Sequence, residues 1–88
     1  MTSPRPYEHI VFTEFEDAEG ILVDLNTKKY YQLNETATLI WKSLEKGLAT
    51  RQIAAKIVSA YDVTLEPALA SVEKTVREFE AYKLIGVK

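Results

Sequence analysis

The sequence holds one histidine, His9, and no cysteine. Without thiols there is no disulfide framework, thiolate metal site or cysteine nucleophile, and one imidazole cannot supply a histidine cluster for a transition metal. Ser3, Ser43, Ser59 and Ser71 have no base beside them in sequence, and His9 could serve only one of them. The three glycines are scattered, so a glycine-rich phosphate loop is not available. Glu14, Glu16, Asp17 and Glu19 could be read as a cation site or a general-acid pair. A solvated acidic turn that keeps an edge strand soluble accounts for them more simply. The expectation is a protein that is not an enzyme, carries no metal or cofactor, and works by recognition.

The residues best suited to recognition lie in "KKYYQLN", Lys28 to Asn34. As a strand, this segment places Lys29, Tyr31 and Leu33 on one face and Lys28, Tyr30 and Gln32 on the other. Two adjacent tyrosines therefore cannot both be core. Tyr31, sharing a face with Leu33, is expected under helices, whereas Tyr30 is open between a partly exposed sheet residue and a ligand contact. Lys28 and Lys29, each taken alone, read as charges that discourage edge-to-edge aggregation.

Around this segment the periodicities define the elements that must position it. "HIVFTEF" (His9 to Phe15) is rich in β-branched and aromatic residues and predicts a strand, "EDAEG" a turn, and "ILVDL" a second strand with Ile21, Val23 and Leu25 on one face. Asn26 and Thr27 turn the chain into the third strand. Asn34 then caps a helix over Glu35 to Lys46, with Ala37, Ile40, Trp41 and Leu44 at helical spacing, Trp41 inward, and Gly47 at its end. Thr50 is expected to cap a second helix, Arg51 to about Tyr61, with Ile53, Ala54, Ile57, Val58 and Tyr61 buried. Thr64 is expected to cap a third, to about Tyr82, with Leu65, Leu69, Val72, Val76 and Phe79 inward and Pro67 in its first turn. Glu73, Arg77 and Glu80 flank that stripe, where such residues most often form a solvated, mutually paired face.

The order predicts an α+β, winged-helix-like fold, a three-stranded antiparallel sheet followed by three α-helices. Residues 1–8 are expected to be a flexible N-terminal arm and residues 9–88 a single domain, since 88 residues suffice for one small core. A sheet of three strands covered by helices on one face leaves its first or third strand as an open edge, and an open edge needs a reason. Thirteen acidic against eleven basic residues give a net charge of −2, unfavourable for holding a polyanion, so nucleic acid is disfavoured as partner. No apolar run approaches the roughly 20 residues of a membrane span, and the amino terminus lacks the order of a secretion signal, so a cytoplasmic protein is expected.

The stretch "ILVDLNTKKYYQLNETATLIWKSLEKGLATRQIAAKIVSAYDV", with a long third helix ending "FEAYKLIGV", resembles the PqqD-like family, the leader-peptide recognition elements of ribosomally made, post-translationally modified peptide pathways. The resemblance rests on "YYQLN" closing a strand, an Ala and an Ile-Trp in the next helix, a Gly-terminated turn, "T-x-x-I-A" opening helix two, and "KLIGV" after helix three. It covers Ile21 to the end. It implies that the leader segment of a precursor peptide adds as a further strand along the third strand, in a groove shared with the third helix. The peptide-binding residues would then be Lys28, Lys29, Tyr30, Tyr31, Gln32 and Leu33, opposed by Val72, Glu73, Val76, Arg77 and Glu80. Because the chain begins and ends with the domain, it is expected to be a discrete adaptor, a monomer or weak edge-paired dimer. Its implied second partner is a leader peptidase or other modifying enzyme of the same pathway. The aromatic hairpin "DLNTKKYYQLN" favours the recognition protein of a lasso-peptide pathway over PqqD itself, which serves a radical enzyme in quinone-cofactor synthesis. A winged-helix DNA-binding regulator stays the alternative of a different class, weakened by Glu66, Glu73, Glu78 and Glu80 on the would-be recognition helix.

Overall fold

The computed structural model describes residues 5–86. Their order is β1 (Arg5–Pro6), β2 (Ile10–Glu14), β3 (Gly20–Asp24), β4 (Tyr30–Leu33), α1 (Glu35–Glu45), α2 (Thr50–Ala60), α3 (Leu65–Ala81) and β5 (Ile85–Gly86). Strands β2, β3 and β4 form the expected antiparallel meander in that order. The three helices follow within a residue or two of their expected limits.

Cross-strand rows show which sheet face the helices cover. Phe12, Leu22 and Tyr31 share one row of the inner face, and Glu14, Gly20 and Leu33 the next. Leu22 and Leu33 are buried there against Ile40, Trp41 and Leu44 of the same core cluster. The outer face carries Val11, Val23 and Tyr30 in one row and Thr13, Ile21 and Gln32 in another, all half-buried or exposed. The face of β3 expected from Ile21, Val23 and Leu25 is thus the outer one, and Leu25 lies beyond the strand. The inner position at its end is filled by Asp24, whose burial the turn makes tolerable. Asp24 Oδ1 accepts the amides of Asn26 at 2.9 Å and Thr27 at 3.2 Å. A buried acceptor met by two N–H donors loses little on leaving water.

Asn34 caps α1 as its sequence position requires, with Oδ1 accepting the Ala37 amide at 2.8 Å. Trp41 stands edge-on to Phe79 of α3, centroids 5.4 Å apart, which locks α1 to α3 at the centre of the core. Two helix starts depart from expectation. Ala49, not Thr50, occupies the cap of α2, where Gln52 Oε1 accepts its amide at 2.8 Å, and the Thr64 side chain makes no cap bond at α3. In the stripes, Val58 and Leu65 are exposed and Ala68 is buried in Leu65's stead. The first turn of α3 lies beyond what α2 covers, so its core face begins one turn later.

Residues 1–4 of the expected arm lie outside the described residues, as do 87–88 of the expected domain. The rest of that arm is held rather than loose. Arg5–Pro6 pair with Ile85–Gly86, the Tyr7 amide donates to Leu84 O at 3.1 Å, and Arg5 lies over Gly47. A pairing between the two ends of the chain leaves no local signature, which is why the segment reads as unstructured on its own.

Candidate functional site

The hydrogen-bond ladder fixes which backbone groups of the sheet are unused. The Asp24 amide donates to Lys29 O and the Leu25 amide to His9 O, so even-numbered residues of β3 bond to β4 and odd-numbered ones to β2. In β4 the partners of β3 are then Tyr31 and Leu33, and the N–H and C=O groups of Tyr30 and Gln32 point away from the sheet. This edge has no further strand among the described residues. Alternate residues of β4 hold the sheet together while the others leave their donors and acceptors unpaired, the geometry that addition of a further strand requires.

The residues singled out in sequence fall into distinct places around that edge. Tyr30 is 68% exposed on the outer face and Gln32 is exposed beside it. Tyr31 and Leu33 face inward, Leu33 within the core and Tyr31 at its border, its ring tilted 35° to that of Tyr82 with centroids 5.1 Å apart. Lys28 and Lys29 belong to the hairpin turn instead of the strand. Lys28 sits at φ 66°, its amide committed to Asp24 O, and the Lys29 amide reaches Thr27 Oγ1 at 3.3 Å. On α3, Val72 is fully enclosed and Val76 only 8% exposed, so the structure places both in the core and not on an open wall. Their four-residue spacing is the buried stripe itself. Glu73, Arg77 and Glu80 are exposed on the helix surface.

The helix residue that does meet β4 is Tyr82, at the C-terminal cap of α3 and 56% exposed. Beyond it Lys83 adopts a left-handed conformation, φ 60°, and Leu84 N–H returns to Phe79 O at 2.9 Å, the bonding pattern that ends a helix and sends Leu84 into the core. Between this helix end and the hairpin turn runs an open groove of about 670 Å³, lined by Tyr7, His9, Asp24, Lys29, Tyr31 and Tyr82 among others. Tyr7 and His9 stack at 5.5 Å along one side. Sequence reasoning missed Tyr82, although it stands three residues past Phe79 and continues the stripe of α3. It missed Tyr7 because nothing local ties that residue to the groove.

Asp24 sets the shape of the turn that carries Lys29. Burial pushes its carboxyl up, but the Thr27 and Asn26 amides, the Thr27 hydroxyl and the nearby His9 outweigh this and hold it below the ordinary carboxylate value. The turn is therefore braced by an ionised acceptor. Among the described residues, no three of His, Asp and Glu are gathered as a metal-binding group, and no helix is long and apolar enough to cross a membrane.

Comparison with known proteins bears on this edge and groove. Two solved structures superpose on the chain with a TM-score of 0.86 each. One is TbiB1 in complex with the TbiA(beta) leader peptide, 22% identical over 92% of this chain and 93% of that one. The other is lasso peptide synthetase B1 complexed with the leader peptide, 24% identical over 96% and 98%. At such identities the likeness establishes a shared fold. No curated protein matches the sequence. The family described as Coenzyme PQQ synthesis protein D (PqqD) matches residues 19–85, from the end of the acidic turn to β5, and the chain belongs to that family.

Proposed function

We propose that this protein is a non-catalytic adaptor that binds the leader segment of a ribosomally synthesised precursor peptide by strand addition to β4 and delivers it to a leader peptidase or modifying enzyme of a lasso-peptide pathway. The observation that carries the reading is the open edge at Tyr30 and Gln32 beside an aromatic groove, in a PqqD-family chain whose fold recurs in two proteins solved with leader peptides. Main-chain bonds to Tyr30 and Gln32 would hold any extended peptide, and the groove at Tyr31 and Tyr82 would select its side chains. Lys28 and Lys29 frame one end of the edge from the turn, and Leu33 supports its floor. On α3, Arg77, Glu73 and Glu80 lie further from the edge than Tyr82 does in sequence along the helix and contribute, at most, charge to the peptide's surroundings.

A second reading within the same family, a peptide chaperone for a radical enzyme in quinone-cofactor synthesis, is favoured by the family description alone. The two differ in which precursor binds. The deciding experiment is fluorescence anisotropy with a labelled leader from the nearest precursor-like reading frame, a scrambled leader and a duplex DNA at moderate salt. Micromolar or tighter binding to the leader alone, at about −8 kcal/mol, supports the adaptor. Salt-sensitive binding to DNA with none to the leader refutes it.

A further inference from the structure

The open edge of β4 is electrically polar along its length. At its N-terminal end stand Lys28, Lys29 and Lys83, and none of the three forms an ion pair among the described residues. The one carboxylate lining the groove there, Asp24, is buried and already occupied by backbone donors of the turn. At the C-terminal end of β4 a second hollow, of about 310 Å³, is lined by Phe15, Glu19, Gln32, Leu33 and Asn34, and Glu19 is likewise unpaired among the described residues. The neighbouring acid Glu14, by contrast, is neutralised by Lys42 at 2.9 Å. Spare positive charge thus marks one end of the edge and spare negative charge the other, with the unused backbone of Tyr30 and Gln32 between them.

Resting on the strand-addition reading above, we infer that this edge selects a peptide by the order of its charges: a basic residue followed, about five positions later, by an acidic one. The spacing follows from strand rise. Lys29 and Asn34 are five residues apart, or about 17 Å at 3.4 Å per residue, and an added strand spans the same distance with the same number of residues. Parity agrees with it. Lys29 shares the inner face with Tyr31, whereas the hollow at Glu19 and Phe15 opens on the outer face with Gln32, and residues an odd number apart on a strand point to opposite faces. Direction follows from the sheet, in which every pair is antiparallel. An antiparallel newcomer brings its N-terminal part to Leu33 and its C-terminal part to the lysines. The acidic side chain then meets Lys29 and Lys83 above the Tyr31–Tyr82 pair, and the basic one meets Glu19. A peptide laid in the reverse direction places like charges together at both ends, and one out of register leaves its charges without partners, which matters on an edge whose backbone bonds are indifferent to sequence.

The test is selection of displayed random dodecapeptides on the purified full chain. The best-enriched peptide is then synthesised with a fluorescein label, in its own sequence and with its two charges exchanged. The expected result is enrichment of basic-before-acidic pairs about five apart. The exchanged peptide should bind about tenfold more weakly, the sum of two exposed pairs near the upper end of their usual strength. The triple variant Lys29→Glu, Lys83→Glu, Glu19→Lys should prefer the exchanged peptide, with its circular dichroism unchanged because all three sites are exposed. Enriched peptides without charge order, or affinities that agree within twofold after exchange, overturn the inference. In that case, perturbed amide resonances of Tyr30 and Gln32 on binding would leave strand addition standing. Failure of any peptide to enrich, or binding that leaves those two amides unmoved, sinks both.

Discussion

The β2 and β4 edges of one sheet differ in what surrounds their unused backbone. On β2 the outward groups belong to Ile10, Phe12 and Glu14, but the Ile10 amide is already turned back to Tyr7 O at 3.1 Å. At its far end Glu14 is tied to Lys42, between a hollow of about 180 Å³ against α1 and an open one of about 620 Å³ lined by Phe15, Glu16 and Asp17 of the acidic turn. On β4 the outward groups belong to Tyr30 and Gln32, and a groove of about 670 Å³ at the strand's N-terminal end carries the Tyr31–Tyr82 pair and unpaired lysines. Both edges have donors and acceptors to spare, but β4 adjoins an aromatic groove with unpaired lysines whereas β2 ends in an acidic turn. Unpaired backbone gives affinity for any extended chain, including a second copy of this one, while the adjoining side chains make the edge discriminating.

Proline scanning separates the two edges most sharply. Gln32→Pro removes an outward N–H and leaves the bonds to β3 in place, as an edge position permits, and is expected to weaken leader binding at least tenfold, about 1.4 kcal/mol, in anisotropy titrations. Glu14→Pro, its counterpart on β2, is expected to change binding less than twofold; equal losses at both sites would erase the distinction. Next in size is Tyr82→Ala, which takes away half of the tilted aromatic pair beside β4 and is expected to cost about fivefold in affinity, within the usual range of about 0.5–1.5 kcal/mol for an aromatic pair, while the melting temperature holds.

The turn that positions Lys29 gives a smaller, pH-dependent effect. Asp24→Ala is expected to lower the melting temperature at pH 7 by a few degrees, and Asp24→Asn by less, since an amide oxygen can still accept from Asn26 and Thr27. The carboxyl is held below its ordinary value, so its contribution is complete above the unfolded value of about 3.9 and fades as pH falls through the lower folded one. Thermal melts of wild type and Asp24→Ala should therefore converge below about pH 4, and a constant gap would contradict the bracing role. Smallest is Lys42→Met on the β2 side. It breaks a half-exposed pair and should shift unfolding in urea by no more than about 0.5 kcal/mol, with leader affinity unchanged.

Much of this molecule was legible along the chain because the signals were local. Asn34 before an apolar helical pattern, the Val72–Val76–Phe79 stripe and the absence of thiols and clustered imidazoles each depend on residues within a few positions of one another. The "YYQLN" segment likewise announced one tyrosine inside and one outside, as Tyr31 and Tyr30 are. The same locality misled where two patterns competed. In "ILVDL" both alternating sets are largely apolar, so period two identified a strand without identifying its inner face, and Lys28 and Lys29 read as strand although Asp24 draws them into the turn.

Sequence alone determined the helices and the meander, since propensity, capping and periodicity act over one or two turns of chain. Only the tertiary structure decided that Leu22 faces the core, that Arg5–Pro6 close on Ile85–Gly86, and that Tyr82 rather than the middle of α3 stands over β4. Those outcomes depend on pairings between residues tens of positions apart. Their energy comes from shared burial and ladder register, quantities that exist only once the chain has folded.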